Sequence, residues 1–549
     1  MRGGRGRRRT GLLRRRVALA CAVVAGLILA GCGDDDDGDA SPGTTSASAT
    51  TAAAATTTSP EADDIDPDGV VRVGVDLSGS GLPGFDPVKT QVLYIAMRYQ
   101  SLVYDTLLRL GPEGEVPGLA TEATIVDPQT VEITLRPGLR FSDGSPLDAT
   151  AVKFAIERNR DVAPQPASFR PEIRDVTSVE VVSPLVLRVH LAKAEAGAFY
   201  ELLTGPETMP ISPASVQSDT AATQPVGAGP FRLTAFEPER RLVFEKNPDH
   251  WDAANIRIAG IEFVQAARGP NRLNALQSGA VDFAGYEVAD LAALDGAGLE
   301  TEVLRGTTSQ LYFQVCKSMA PVDDVRVRQA LNYAIDRESI NQALTGGLGE
   351  PAWALWPKDH PLFPSELEEH YAHDRDKAKA LLAEAGYPDG LNLDVISSAG
   401  LSVRFTEAVQ AQMEEAGIRL NLVQSANYVQ DLLVDKKAPL GTAAVSRSGL
   451  EKLSTAFAGT GLPNFCQYSD PALNALIDQL RAASPGSPEA TRLWAQAQEF
   501  VIDQALWVWG IWVPDIAAWD GDRLGNVEPF INAPAEAMPW WWSVYVKRT

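Results

Sequence analysis

Pro225-Val226-Gly227-Ala228-Gly229-Pro230-Phe231 leads into Arg232 to Phe236, a turn at Glu237-Pro238-Glu239-Arg240, a second run Arg241 to Lys246, and then Asn247-Pro248-Asp249-His250-Trp251. Two short runs around four turn residues predict a β-hairpin. The prolines and glycines ahead of it predict a tight turn where the chain re-enters its main body. A glycine-rich loop can also cradle phosphate with backbone amides. That use needs a Walker lysine, or a G-x-G-x-x-G pattern, followed by a helix, and here a hairpin follows instead.

Outward from the hairpin, segments of both periods alternate. Val70 to Val75 and Thr130 to Leu135 read as strands. Phe141-Ser142-Asp143-Gly144-Ser145-Pro146 is a turn cluster, after which Asp148 caps a helix through Ala151, Val152, Ala155 and Ile156. From Val325 to Arg337 the residues Val327, Leu331, Ala334 and Ile335 keep helical spacing, with Asp323 or Asp324 as cap. Asp374 to Gly386 repeats the pattern, with Ala378, Leu381, Leu382 and Ala385 apolar and Gly386 as terminator. The mixture predicts an α/β or α+β body. About 480 residues are too many for one core, so two or three domains are expected.

The start of the chain reads differently. The first sixteen residues carry eight arginines and no acid, and the apolar run Val17 to Ala30 follows, the layout of a secretion signal over 1–31. Fourteen apolar residues fall short of the roughly 20 that a spanning helix needs. Leu29-Ala30-Gly31-Cys32 matches the bacterial lipobox, which predicts a diacylglycerol on the Cys32 sulfur, cleavage just before it, and a hold on the membrane through buried acyl chains. The stretch 32–68 is Asp, Ser, Thr, Ala, Pro and Gly with few large apolar side chains, and is expected to be a flexible tether reaching on the order of 30 Å. The Asp34 to Asp37 run lacks the spaced ligands and turn glycine of a calcium site.

Losing residues 1–31 removes eight of the 48 basic residues and none of the 71 acidic ones, leaving a formal charge of −31. Such a charge argues against nucleic acid and anionic lipid headgroups as partners. Of the four cysteines, Cys21 leaves with the signal and Cys32 takes the lipid. Cys316 and Cys466 remain. Outside the cytoplasm a bridge between them is expected, with two separate buried thiols as the alternative.

With these blocks in view, the chain closely resembles the oligopeptide, dipeptide and nickel-binding family of ABC-transporter solute-binding proteins, family 5. The resemblance spans nearly everything from Val70 onward. It is carried, in order, by Tyr104-Asp105-Thr106-Leu107, Phe141 to Phe154, Pro225 to Trp251, and Val325-Arg326-Val327-Arg328-Gln329-Ala330-Leu331. Ala380 to Tyr387, Gln412 to Leu420 and Asn464-Phe465-Cys466-Gln467-Tyr468 complete the series. It implies a bilobed periplasmic-binding-protein-like α/β fold (type II, cluster C) with an extra domain in lobe I. The boundaries it suggests are 69–108, 220–305 and 515–549 for lobe I, 109–219 for the extra domain and 306–514 for lobe II. It further implies a monomer with no cofactor, which encloses a small, peptide-like solute between its lobes and hands it to an ABC permease and ATPase complex.

Candidate solute contacts are Arg447, Trp353, Trp356, Asn464, Phe465, Tyr94 and Trp509. Arg447 suits bidentate pairing with a carboxylate, or equally a structural salt bridge. Trp353 and Trp356, in a Gly- and Pro-rich loop, suit an apolar wall or core packing. In peptide-binding members a Gly-Trp followed by an Asp-Tyr stretch sets an aspartate on the peptide amino terminus. Ser446 to Leu453, the comparable stretch, has Leu450 at the Trp position and no such Asp. The cluster Trp540 to Trp542 is expected to pack in lobe I. Two rival classes remain: an extracytoplasmic hydrolase, for which neither G-x-S-x-G nor H-E-x-x-H is present, and a sensor lipoprotein with the same body. His370 and His373, near Glu368 and Glu369, are read as a solvated charged segment rather than a metal site.

Overall fold

The computed structural model describes residues 64–548, apart from 79–83, 90–92, 112–113, 164–169, 399, 446–448, 460–463, 532–536 and 540, and the side chains of a few further residues, Tyr94 among them. The expected signal, the lipobox cysteine Cys32, most of the tether, Arg447 and Trp540 therefore lie outside the described residues. Among those described, no helix is long and apolar enough to cross a membrane.

Eleven strands form one sheet whose two ends belong to different halves of the chain. On one side Val70–Val75 pairs in parallel with Gly260–Gln265 and Phe283–Glu287, and the hairpin Phe231–Glu237 and Arg241–Lys246 closes the edge. On the other side Leu391–Ser397 lies parallel to Ile418–Gln424 and Leu440–Val445. Two long antiparallel strands, Glu300–Val315 and Trp507–Trp519, run from one half into the other. Their pairing is continuous from Glu300↔Trp519 to Leu304↔Asp515, breaks, and resumes at Ser309↔Val513. Pro514, which has no N–H to give, stands alone opposite Arg305 to Thr308. The sheet thus joins two lobes by a pair of strands whose ladder is interrupted at the crossing.

Each lobe fills its own core. Val71, Val73, Phe263, Phe283 and Trp541 are buried together in lobe I, with Trp542 packed partly buried against them. Leu311, Phe313, Val327, Leu331, Val395 and Phe405 are buried together in lobe II. A separate four-stranded antiparallel sheet, Ala120–Asp127, Thr130–Leu135, Val186–Leu191 and Val176–Ser183, packs on the helix Ala149–Asp161 as the extra domain.

Caps explain where several elements start. Asp148 accepts from the N–H groups of Thr150 and Ala151, and Asp374 from that of Lys377. The helix expected from Val325 to Arg337 is instead two: Asp324 caps Val325–Tyr333, and Asp336 caps Arg337–Thr345. An aspartate able to take the Ser339 N–H competes with helix continuation, and the apolar spacing did not register it. The glycines of Pro225 to Phe231 also act differently from the expected tight turn. Neither Gly227 nor Gly229 has a positive φ; a Cβ on either would collide with the backbone of Leu102 to Tyr104. Close chain approach, sealed by Gly229 N–H donating to the Val103 carbonyl at 2.7 Å, is what excludes a side chain there.

Candidate solute site

The body built on the four-stranded sheet, taken below with the proposed bounds 109–219, touches both halves of the large sheet, and arginine and carboxylate groups meet at each seam. At the lobe I seam Asp105 accepts from Arg109 Nε at 2.9 Å and Nη2 at 2.5 Å, lies 3.1 Å from His250 Nε2, and accepts from the Trp251 indole at 3.3 Å. Arg109 is in turn covered by the rings of Trp251 and Trp542. Burial would raise the Asp105 carboxyl, but Arg109 and His250 outweigh it and hold it well below the usual carboxylate range. Two sequence blocks far apart, Tyr104 to Leu107 and Asn247 to Trp251, are thereby pinned together.

The lobe II seam is looser and holds a cavity of about 640 Å³. The 109–219 domain contributes Arg170, Glu201, Thr204 and Glu115; lobe II contributes Trp356, His360, Leu450, Glu451 and Trp494. Arg170 donates to Glu201 Oε2 at 2.9 Å and to the Ala198 carbonyl at 3.3 Å, and its backbone N–H reaches Glu207 Oε1 at 2.8 Å. Burial opposes the charge on Arg170, yet Glu201, Glu172 and Glu207 together raise its affinity for the proton. Burial likewise raises the Glu201 carboxyl against the pull of Arg170, and pushes Glu207 up to about 7. Glu207 Oε2 is buried and has no hydrogen-bond partner among the described residues.

Beside the cavity Arg481 of lobe II bridges to Glu195 at 2.9 Å and Glu172 at 3.4 Å. A Cβ on Gly197 would strike the Ala483 carbonyl, so only glycine lets the helix Ala196–Leu202 lie this close to lobe II. Trp356 stacks face to face on His360 at 4.0 Å and meets Trp494 edge-on at 5.9 Å. Burial lowers the His360 pKa.

The sequence candidates are scattered over this frame. Trp356 lines the cavity. Trp353 is buried over the Arg337 guanidinium at 4.9 Å, and its indole N–H has no acceptor among the described residues. Trp509 is fully buried, edge-on to Trp507, which stacks on Tyr312; it belongs to the lobe II core rather than to a solute wall. The Asn464 amide is spent within its own loop, donating to the Gly459 and Tyr468 carbonyls and accepting from the Tyr468 N–H. Phe465 packs around a disulfide that joins Cys316 to Cys466, with Cα atoms 5.2 Å apart. Tyr94 sits on the helix Leu93–Tyr104. Leu453, where no aspartate stands, is core. His370 lies 3.6 Å from Asp503, and no cluster able to hold a metal occurs among the described residues.

Sequence reading missed Arg170, Glu201, Glu207, His360 and Trp494. None belongs to a motif, and only folding brings Arg170, Glu201, His360 and Trp494 to one cavity, with Glu207 holding the Arg170 backbone N–H. Lys452 was missed too: its ammonium is buried, donates to Gln310 Oε1 and the Leu355 carbonyl, faces the Trp512 ring at 5.0 Å, and is pushed down to about 7 by burial.

The family model of the bacterial extracellular solute-binding proteins, family 5 (middle), matches residues 115–450, more than half of the chain. The chain belongs to family 5 of the extracellular solute-binding proteins. Its family role is to bind a solute outside the cytoplasm. The glutathione-binding protein GsiB of Salmonella paratyphi A (strain ATCC 9150 / SARB42) is 27% identical over 427 residues, 74% of this chain and 82% of that protein. Two solved structures share the bilobed fold of this family 5 protein. The putative peptide-binding protein AppA from Clostridium difficile has a TM-score of 0.74 at 19% identity, covering 87% of this chain and 100% of that one. DppA from Helicobacter pylori, in complex with the peptide STSA, has a TM-score of 0.70 at 18% identity, covering 88% and 99%.

Proposed function

We propose that this chain captures a peptide-like solute for an ABC importer, is held at the outer face of the cell membrane through a lipid on Cys32, acts as a monomer, and makes or breaks no bond in the solute. The observation that carries the reading is the cavity with Arg170 and Glu201 on one wall and Trp356, Leu450 and Trp494 on the other, together with a large sheet whose two crossing strands lose their pairing at Pro514. A cavity of that size falls within the roughly 300–1,000 Å³ of small-molecule sites. A solute touching both walls stabilises the closed arrangement by the contacts it makes only there. The peptide-like class is supported by relatives that carry glutathione and the peptide STSA.

Native mass spectrometry of freshly purified protein, with release and identification of any retained molecule, tests the solute class. Thermal unfolding in the presence of that molecule tests the affinity: at a concentration 100 times Kd, stability rises by about 2.7 kcal/mol. Stimulation of the ATPase of a reconstituted permease tests the importer. A protein that hydrolyses the released molecule, or leaves every permease unstimulated, ends the reading.

A further inference from the structure

The cavity at the lobe II seam is charged as well as shaped. Among the described residues its lining holds the carboxylates of Glu115 and Glu201, with Arg170 as a fixed cation, and Glu451, which is engaged by a partner of its own. Arg170 does not offer an anion site, because its charge is already turned to the protein: Glu201 Oε2 at 2.9 Å, the Ala198 carbonyl, and Glu172 at 4.0 Å. The second cavity-facing base, His360, is stacked under Trp356 and partly buried, which disfavours its charged form. Glu201 is different. Its side chain keeps 23% of its surface open, one oxygen is held by Arg170, and Oε1 accepts no hydrogen bond from the described residues. A Cβ on Gly449, whose φ is +66, would lie 3.3 Å from Glu201 Oε2, so the acid of one domain stands close to the chain of the other. Around it Trp356, Trp494 and Leu450 provide aromatic and aliphatic surface.

Indole faces and carboxylates in a half-enclosed site favour one ligand chemistry over the alternatives. A cation on an aliphatic stem gains the ion pair and the cation–π attraction, and its methylenes cover the ring edges. An anion meets the carboxylates of Glu115 and Glu201 and an arginine already paired with Glu201. Resting on the solute-binding reading above, we propose that this cavity selects solutes bearing a primary ammonium or guanidinium on an aliphatic stem, with Glu201 as the ion-pairing group and Trp356 and Trp494 flanking the stem. The acid that recognises the cation is supplied by the 109–219 domain, not by the lobe II stretch around Leu453. Recognition of the cation therefore also tightens the lobe II seam.

Isothermal titration of the purified protein with four tripeptides tests this: Ala-Lys-Ala, Ala-Arg-Ala, Ala-Glu-Ala, and Ala-norleucine-Ala as the uncharged match to lysine. The lysine and arginine peptides are expected to bind at least tenfold more tightly than the norleucine peptide, and the glutamate peptide more weakly than all. Glu201→Gln is expected to erase the tenfold preference, with its circular dichroism and thermal unfolding showing that the variant is folded. Trp356→Leu, a second route to the same site, should cut the preference at least threefold. Equal binding of lysine and norleucine peptides, or a Glu201→Gln variant that weakens every peptide alike, overturns the inference and leaves solute binding standing. Absence of binding by all four, with no molecule retained on purification, removes both.

Discussion

The 109–219 domain is joined to lobe I and to lobe II by the same kinds of residue, yet the two seams are opposite in quality. At lobe I, Asp105 has three side-chain partners, the His250 side chain is fully buried, and two tryptophans cover Arg109, so each charge is desolvated and answered. At lobe II, Arg481 and Glu201 keep some exposure, Glu207 retains an oxygen with no hydrogen-bond partner among the described residues, and a cavity separates the walls. A buried, complete ion pair resists separation, because breaking it strands a charge in a place water does not reach. A half-solvated one exchanges its partners for water at little cost. The first seam is a fixed joint and the second is one that a solute can tighten.

The largest effect is expected from breaking the fixed joint. Asp105→Ala strands Arg109 and should cost about 3–5 kcal/mol in urea unfolding. A loss under 1 kcal/mol would mean that the two seams are alike.

Next comes the pH response of Glu207. Its folded-state value of about 7 lies above the ordinary carboxylate range, so between pH 4.5 and 7 the folded chain keeps a proton that the unfolded chain has released. Stability therefore falls as pH rises through that window, by up to about 3 kcal/mol in total. Glu207→Gln should flatten this part of the profile, measured as the difference between variant and parent at pH 4.5 and pH 7.5. An unchanged profile would show Glu207 to be ordinarily ionised.

Gly197→Val places a side chain against the Ala483 carbonyl. It should weaken solute binding by roughly tenfold, or about 1.4 kcal/mol, while the lobe I seam and its contribution to stability stay intact. The smallest change in stability is expected from Arg481→Ala, whose side chain is 19% exposed. Loss of its pairs leaves the carboxylates of Glu195 and Glu172, 8% and 6% exposed, without this partner, and should cost about 1–3 kcal/mol in urea unfolding, less than Asp105→Ala. A cost like that of Asp105→Ala would erase the distinction.

Much of the fold was legible because it rests on local chemistry. The hairpin at Phe231–Lys246, the strand Val70–Val75 and the caps Asp148, Asp324 and Asp374 are each decided by residues a few positions apart. The site was not. Of the candidates named from sequence, Trp356 lines the cavity, while Trp509 and Asn464 are engaged elsewhere. A tryptophan has the same local pattern in a core as in a cleft, and an asparagine that staples a loop looks like one that holds a ligand.

The sequence by itself determined the α/β body, its family blocks, the pairs of residues that start its helices, and the acidity of the chain. Only the tertiary structure decided which charges meet. Arg170, Glu201, Trp356 and Trp494 are separated by up to several hundred positions and share no motif. Periodicity and caps are set within a turn or two of chain. The pairing of a carboxylate with a guanidinium, and the hollow left between two domains, depend on where whole bodies come to rest, which no short-range pattern encodes.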